Sequence, residues 1–331
     1  MNPMIQSSIQ RIGVFTSGGD APGMNAAIRA VVRAGSYYKK EVFGIMRGYE
    51  GMIEGDIVKL GVRSVGNILQ RGGTILKSAR SDEFRTPQGR KKAFDQLKQH
   101  GIDGLIAIGG DGTFTGLHTF HQEFAIPSVC IPGTIDNDLP GTDYTIGYDS
   151  ATNTAVEAID KIRDTALSHN RLFFVEVMGR NSGYIAINSG IAGGAGAIII
   201  PEDHLTFDEL FKILKPEKET GKKSNVVVVA EGSKIGGAYE LAKKVAERSD
   251  YFDIKVTILG HLQRGGAPTY FDRVLASKMG LAAVEGLLTG KNDVMVGIRA
   301  NVMVYNSFET ITKGIHEIDG DLLRMAKILS I

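Results

Sequence analysis

The chain has 331 residues, which at roughly 150 residues per domain predicts about two domains. Lysine and arginine total 38 against 37 acidic residues, a net charge of +1, so no bulk attraction to nucleic acid or to an anionic membrane surface is expected. Hydrophobic residues at 43% exclude disorder for most of the chain, and a lone cysteine, Cys130, excludes an internal disulfide and a cysteine-rich zinc site.

Met1 to Gln6 lacks a basic segment followed by an apolar one, so no signal peptide is expected. The first predicted strand is Ile12 to Thr16, followed by the loop Thr16-Ser17-Gly18-Gly19-Asp20-Ala21-Pro22-Gly23-Met24-Asn25 and a helix from Asn25 to Tyr38. Gly18 and Gly23 have P-loop spacing, but Met24-Asn25 stands where Lys-Ser/Thr would be needed, which rules out a Walker site. A strand, a glycine turn and a helix still aim backbone N–H groups and the helix dipole at an anion. A plain tight turn is the alternative.

A helix from Gln88 to His100 leads to the strand Gly104 to Ile108 and the loop Gly109-Gly110-Asp111-Gly112-Thr113. A carboxylate among glycines at a strand end suits a magnesium ion held over phosphates, with the nucleotide lying against bare backbone. The strand Ser128 to Ile131 runs into Pro132-Gly133-Thr134-Ile135-Asp136-Asn137-Asp138. In an extended loop Asp136 and Asp138 face the same side, and two close carboxylates raise the proton affinity of one, which suits a general base. A turn cap with a solvated aspartate is the alternative.

A domain border is expected near Gly147, followed by a helix from Ser150 to Ser168 and a strand from Leu172 to Val177. The longest uncharged run, between Arg180 and Glu202, holds five glycines and several polar residues. It reads as a buried glycine-lined helix entering the strand Ala197 to Ile200, and not as a membrane span. The lysine cluster Lys215 to Lys223 reads as exposed. Then come the strand Val226 to Ala230, a helix from Glu240 to Ser249, the strand Lys255 to Ile258 and a helix from Arg273 to Leu288. Strands alternating with helices predict parallel sheets covered on both faces, with ligands at the carboxyl ends of strands.

The three glycine loops, together with Glu176-Val177-Met178-Gly179-Arg180, Ala230-Glu231-Gly232 and Gly260-His261-Leu262-Gln263-Arg264-Gly265-Gly266, resemble the ATP-dependent 6-phosphofructokinases of bacterial type. The resemblance runs from about Arg11 to the C-terminus. It implies two three-layer α/β/α, Rossmann-like domains with mostly parallel sheets and an interdomain active-site cleft. Residues 1–147 with 263–313 would bind ATP, and 148–262 with 314–331 the sugar phosphate. The implied reaction moves the γ-phosphoryl group of Mg-ATP to the 1-hydroxyl of fructose 6-phosphate. By the same resemblance Asp136 is the base, Asp111 holds Mg2+ with Asp138 helping through water, Arg80 screens the phosphoryl group, and Arg180 lies between the sugar phosphate and that group. Thr134 sits beside the attacking hydroxyl. Gly19, Tyr49, Arg85, Gly110, Gly112, Thr113 and Gly116 lie along ATP. Met178, Gly179, Glu231, His261 and Arg264 hold the sugar phosphate, with Arg171 and Lys255 reaching in from a neighbouring subunit of a homotetramer. Read as single residues, Tyr49, Met178 and His261 serve equally as packing, and Arg85 and Arg163 as surface ion-pair partners.

Lys255 departs from the family's arginine and loses bidentate geometry. The family's effector site for ADP or phosphoenolpyruvate maps to Arg29, Arg33, Arg163, Lys222 and Lys223. Its arginine falls at Val62, beside Arg63, and its magnesium-binding glutamate at Gly196, so a weakened ADP response is expected. Pyrophosphate-using relatives carry aspartate at Gly112 and lysine at Gly133, so both positions here imply ATP. An NAD or lipid kinase shares only the Gly109–Thr113 motif. A regulator without catalysis would need a broken base or metal site. A cytoplasmic enzyme without nucleic-acid or membrane partners is expected.

Overall fold

The apolar runs ending in glycine form strands in the computed structural model, which describes residues 7–168, 171–214, 226–313 and 318–329. Two compact units divide the chain. The first takes the chain up to Ile135, then Leu139–Asp149 and the stretch beginning at Arg264. The second takes Asp136–Asp138, Ser150–Gln263 and the C-terminal helix.

The first unit opens with β1 (Arg11–Thr16), α1 (Met24–Tyr37), β2 (Glu41–Ile45), α2 (Tyr49–Glu54), β3 (Ile57–Leu60), α3 (Pro87–Gln99), β4 (Gly104–Gly109), α4 (Asp111–Phe124) and β5 (Ser128–Pro132). Helix α5 (Tyr148–Ser168) carries the chain into β6 (Arg171–Val177), α6 (Tyr184–Ala192), β7 (Ala197–Ile199), α7 (Phe207–Leu214), β8 (Val226–Ala230), α8 (Ala238–Arg248) and β9 (Asp253–Ile258) of the second unit. The chain returns to the first unit for α9 (Tyr270–Leu288), β10 (Val294–Arg299), β11 (Val302–Ser307) and α10 (Phe308–Lys313), and α11 (Gly320–Leu329) completes the second.

The first unit's sheet has the order β11-β10-β5-β4-β1-β2-β3. Its interior pairs are parallel, whereas β2–β3 and β10–β11 are antiparallel, so the sheet is mostly parallel, as expected, with an antiparallel strand at each edge. The β10–β11 hairpin turns at Ala300 and Asn301, both at positive φ (46° and 64°), the arrangement that matches strand twist in a two-residue turn. Strands β4 and β5 are buried throughout, as is β1 after Arg11, and their neighbours pack Phe15, Phe114, Phe120 and Leu105 into one core. From β1 the chain winds one way to β2 and β3, and from β4 the other way to β5. The crevice for ligands in such a sheet lies at this reversal, outside the carboxyl ends of β1 and β4.

The second unit's sheet is wholly parallel in the order β7-β8-β6-β9. Its core gathers Leu172, Phe174, Val227, Val229, Leu241 and Val245. Helix α6 buries Ile185, Ala186, Ile187, Ser189 and Gly190, which agrees with the glycine-lined helix read from the uncharged run. No described helix is long and apolar enough to cross a membrane.

Candidate active site

In the first unit the three glycine loops leave β1, β4 and β5, three adjacent parallel strands. Hydrogen bonds stitch them together. Ser17 N–H donates to Ile108 O (3.1 Å), Thr113 Oγ1 donates to Ser17 O (3.1 Å), and Gly133 N–H donates to Gly109 O (2.9 Å). Gly18 and Gly19 stay exposed, and a Cβ at Gly19 would fall 2.6 Å from Arg264 Nη1. That guanidinium donates to Asp20 O at 3.1 Å, so Arg264, expected on the sugar phosphate, lies against the first glycine loop.

Asp111 was read as a loop residue but is the first residue of α4, with Gly110 as its cap. A carboxylate there benefits from the helix dipole and stays exposed. A Cβ at Gly112 would meet nothing within 4 Å, and its φ is not positive, so neither packing nor backbone requires glycine. Gly133 is different: its Cβ would meet Ile108 Cγ2 at 2.9 Å and Met24 Cε at 3.2 Å. Packing accounts for that glycine, whereas the protein's own packing gives no reason for Gly112.

Among the described residues no three His, Cys, Asp or Glu side chains form a metal cage. One exposed carboxylate beside bare backbone fits magnesium, which keeps several waters and is completed by substrate phosphates.

Tyr49, expected beside ATP, is a core side chain at 6% exposure. Its ring stacks on Phe84 (3.9 Å between centroids), and its hydroxyl donates to Thr113 O at 2.5 Å. Gly116 gives that ring room, since its Cβ would sit 3.2 Å from Tyr49. Both residues therefore brace the Gly110–Thr113 turn from behind. Burial pushes the Tyr49 phenol well above the ordinary tyrosine range. Arg85 projects into solvent from the turn Glu83–Arg85, 3.7 Å from Asp82. Exposed Arg80 lines a cavity of about 220 Å³ with Glu50, Glu54, Asp82 and Glu83.

Two residues of this unit escaped the sequence reading. Asn25, noted only for what it was not, is 1% exposed. Its Nδ2 donates to Arg71 O and Gly72 O (both 3.1 Å), and its Oδ1 accepts from Ile75 N–H (2.8 Å), pinning the loop before Arg80. Arg90 joins Glu123 through Nε (2.7 Å) and Nη2 (2.6 Å), and its Nη1 donates to Phe84 O and Arg85 O (3.1 and 2.8 Å). The loop partners of Asn25 and the Glu123 partner of Arg90 lie 33 to 50 positions away, and local sequence carries no sign of them.

Thr134 is half-buried, and its carbonyl accepts from Thr145 Oγ1 at 2.6 Å. The extended loop on which a shared side for Asp136 and Asp138 depended is absent. The chain bends at Ile135 and Asp136, and Asn137 takes φ 50°, which breaks the two-residue alternation. Asp136 is 7% exposed and Asp138 half-buried; both cluster with the second unit, apart from the stretch 1–147 to which they were assigned.

In the second unit the loops bearing Met178–Arg180, Glu231–Gly232 and Gly260–Gln263 follow β6, β8 and β9, adjacent strands whose ends are level. Met178 is 9% exposed, while Arg180 and His261 reach solvent. The Glu231 carboxylate, expected on the sugar, accepts from Arg180 N–H (2.6 Å) and Gly179 N–H (3.3 Å). Arg171 and Lys255 sit at the opposite, amino-terminal end of the same sheet. At about 3.3 Å per residue, Arg171 lies roughly 20 Å from the Met178 turn. Both cations grip Asp253, Lys255 Nζ at 2.6 Å and Arg171 Nε at 3.1 Å, and the Lys255 bond above all holds that carboxyl below the usual aspartate range.

Arg29 and Arg33, one turn apart on α1, form no ion pair among the described residues; burial first, then Arg33, lowers the Arg29 pKa. Arg163 on α5 lies against Gly194 and keeps a buried Nη2 without a hydrogen-bond partner. Val62 is exposed, Gly196 donates to Val226 O (2.9 Å), and Lys222 and Lys223 lie outside the described residues.

The phosphofructokinase family profile matches residues 11–287. The ATP-dependent 6-phosphofructokinase of Cytophaga hutchinsonii is 56% identical over 97% of this chain and 98% of its own length. ATP-dependent 6-phosphofructokinase 1 of Thermus thermophilus is 54% identical over 98% of this chain and 100% of its own. The solved phosphofructokinase of Saccharomyces cerevisiae superposes with a TM-score of 0.85 at 37% identity; the match covers 97% of this chain but 46% of the yeast chain. With glycine loops at the reversal of one sheet and three further motifs at one end of the other, the chain belongs to the phosphofructokinase family.

Proposed function

We propose that the chain is an ATP-dependent 6-phosphofructokinase of glycolysis, which phosphorylates the 1-hydroxyl of fructose 6-phosphate and releases ADP. The observation that carries this reading is the 56% identity, over nearly the whole length, to a protein of that name. The open space beside Gly112 favours ATP over pyrophosphate, because an aspartate there would repel the α-phosphate.

The first unit takes ATP and the second the sugar phosphate. Gly19 and the Gly110–Thr113 turn offer backbone N–H groups and the α4 dipole to the phosphates. Asp111 would hold a magnesium ion, which when bound neutralises phosphate charge. Asp136, at 7% exposure, is shielded from bulk water and serves as the general base. It takes the proton of the 1-hydroxyl beside Thr134 as that oxygen attacks in line. Arg80, Arg180 and Arg264 meet phosphate oxygens through planar forks. Positioning and charge neutralisation carry phosphoryl transfer, with little covalent chemistry asked of the protein.

Arg171 and Lys255, being at the far end of their sheet, serve a neighbouring subunit's sugar phosphate in a cytoplasmic homotetramer. Arg29, Arg33, Arg163, Lys222 and Lys223 bind an anionic effector, with weakened ADP activation because Gly196 supplies no carboxylate. The test of the central assignment is Asp136→Ser, which should keep ATP binding and lower kcat by roughly 10²–10⁴-fold. Near wild-type turnover would refute it.

A further inference from the structure

Three consecutive backbone N–H groups, those of Met178, Gly179 and Arg180, are captured by side chains from the two flanking loops. Glu231 takes Gly179 and Arg180, and Gln263 Oε1 takes Met178 N–H at 2.8 Å. The second bond spans 85 positions of sequence. Gln263 is 0% exposed, while His261 and Leu262, on the same short turn Gly260–Arg264, are exposed. The far end of its amide donates to Ala151 O at 3.5 Å, tying the turn to the start of α5.

A fully buried amide costs free energy unless both ends find partners, and packing alone would be served by leucine or methionine. An amide is also the side-chain group that accepts at one end and donates at the other in a fixed plane. The turn it holds needs holding, since Arg180 stands at φ 54°, where a non-glycine residue is strained.

We infer that Gln263 is a positioning residue for the sugar phosphate: it latches the Met178–Arg180 turn in its binding shape before substrate arrives. The inference rests on the reading of that turn as part of the fructose 6-phosphate site. Without the latch, Met178 N–H loses its buried partner, the turn relaxes, and the substrate must bear the cost of ordering it. Because the side-chain hydrogen bonds of Gln263 to described residues go to second-unit atoms, the effect falls on the sugar phosphate and not on the nucleotide.

The experiment measures KM for each substrate, kcat and the thermal midpoint in Gln263→Met, which keeps the volume and loses both polar ends. KM for fructose 6-phosphate is expected to rise roughly tenfold, with KM for ATP within about twofold. Gln263→Asn, which withdraws the amide by one methylene, is the second variant should methionine prevent folding, and it should give the same split. An unchanged KM for fructose 6-phosphate, or equal rises in both KM values with a fallen midpoint, overturns the inference. Arg180→Ala and Glu231→Gln serve as controls: if they too leave that KM unchanged, the reading of the turn has failed, and not the latch alone.

Discussion

Replacing Gly112 with aspartate should make the protein slightly more stable and a much poorer user of ATP. The added Cβ meets nothing within 4 Å, and the backbone is not at positive φ, so no strain follows. Glycine in a helix costs about 0.5–1 kcal/mol against alanine. A carboxylate in the first turn of α4 gains about 0.3–1 kcal/mol from the dipole, offset in part by its neighbour Asp111. The net gain of about 0.5–1 kcal/mol raises the thermal midpoint by roughly 1–4 °C. A nucleotide phosphate about 5 Å from the new carboxylate is repelled by roughly 1–3 kcal/mol, for an effective dielectric between 80 and 20. KM for ATP should therefore rise about 5- to 200-fold, while KM for fructose 6-phosphate stays within about twofold. Melting curves, and velocities against each substrate with the other saturating, give all three quantities. A midpoint lowered by several degrees, or an unchanged KM for ATP, would refute the reasoning that this glycine is kept open for a ligand.

Tyr49→Phe removes the donor to the buried Thr113 carbonyl and should cost about 1–2 kcal/mol, with a modest rise in KM for ATP; an unchanged midpoint would show that the brace is not needed. At Asp253 the folded pKa is depressed, so the clamp on Lys255 and Arg171 is complete above the ordinary aspartate range, near pH 4, and is lost only as pH falls through the lowered value. Both cations are therefore held at neutral pH, and Asp253→Asn should lower KM for fructose 6-phosphate between about pH 6 and 8 without moving KM for ATP. Lys255→Arg should act in the same direction by restoring a bidentate contact, and a raised KM in either variant would remove those residues from the substrate's path.

The central strands were legible because β1, β4 and β5 are short, mostly apolar runs that lead into glycine-rich loops, a pattern consistent with burial on both faces. The edge strands were not. β3 shows solvent two of its four residues, and β11 is only partly buried, so neither carries the apolar signal of a central strand. Helix α4 is absent from the predicted elements because its start was taken up by the glycine loop, although a glycine cap and an acidic first residue begin a helix well. Motifs marked the loops at the strand ends, but not the work of each side chain. Tyr49, Glu231 and Arg264 all sit at motif positions, and in each case the polar group bonds backbone brought near by the fold. Asn25 and Gln263 find partners 50 and 85 positions away, at distances where spacing carries no information.

The most direct test of the account is the initial rate of fructose 6-phosphate phosphorylation by the purified protein with magnesium and either ATP or pyrophosphate at equal concentration. Turnover with ATP and none above background with pyrophosphate is the predicted result. Turnover with pyrophosphate that equals or exceeds that with ATP, or none with either donor, would contradict it.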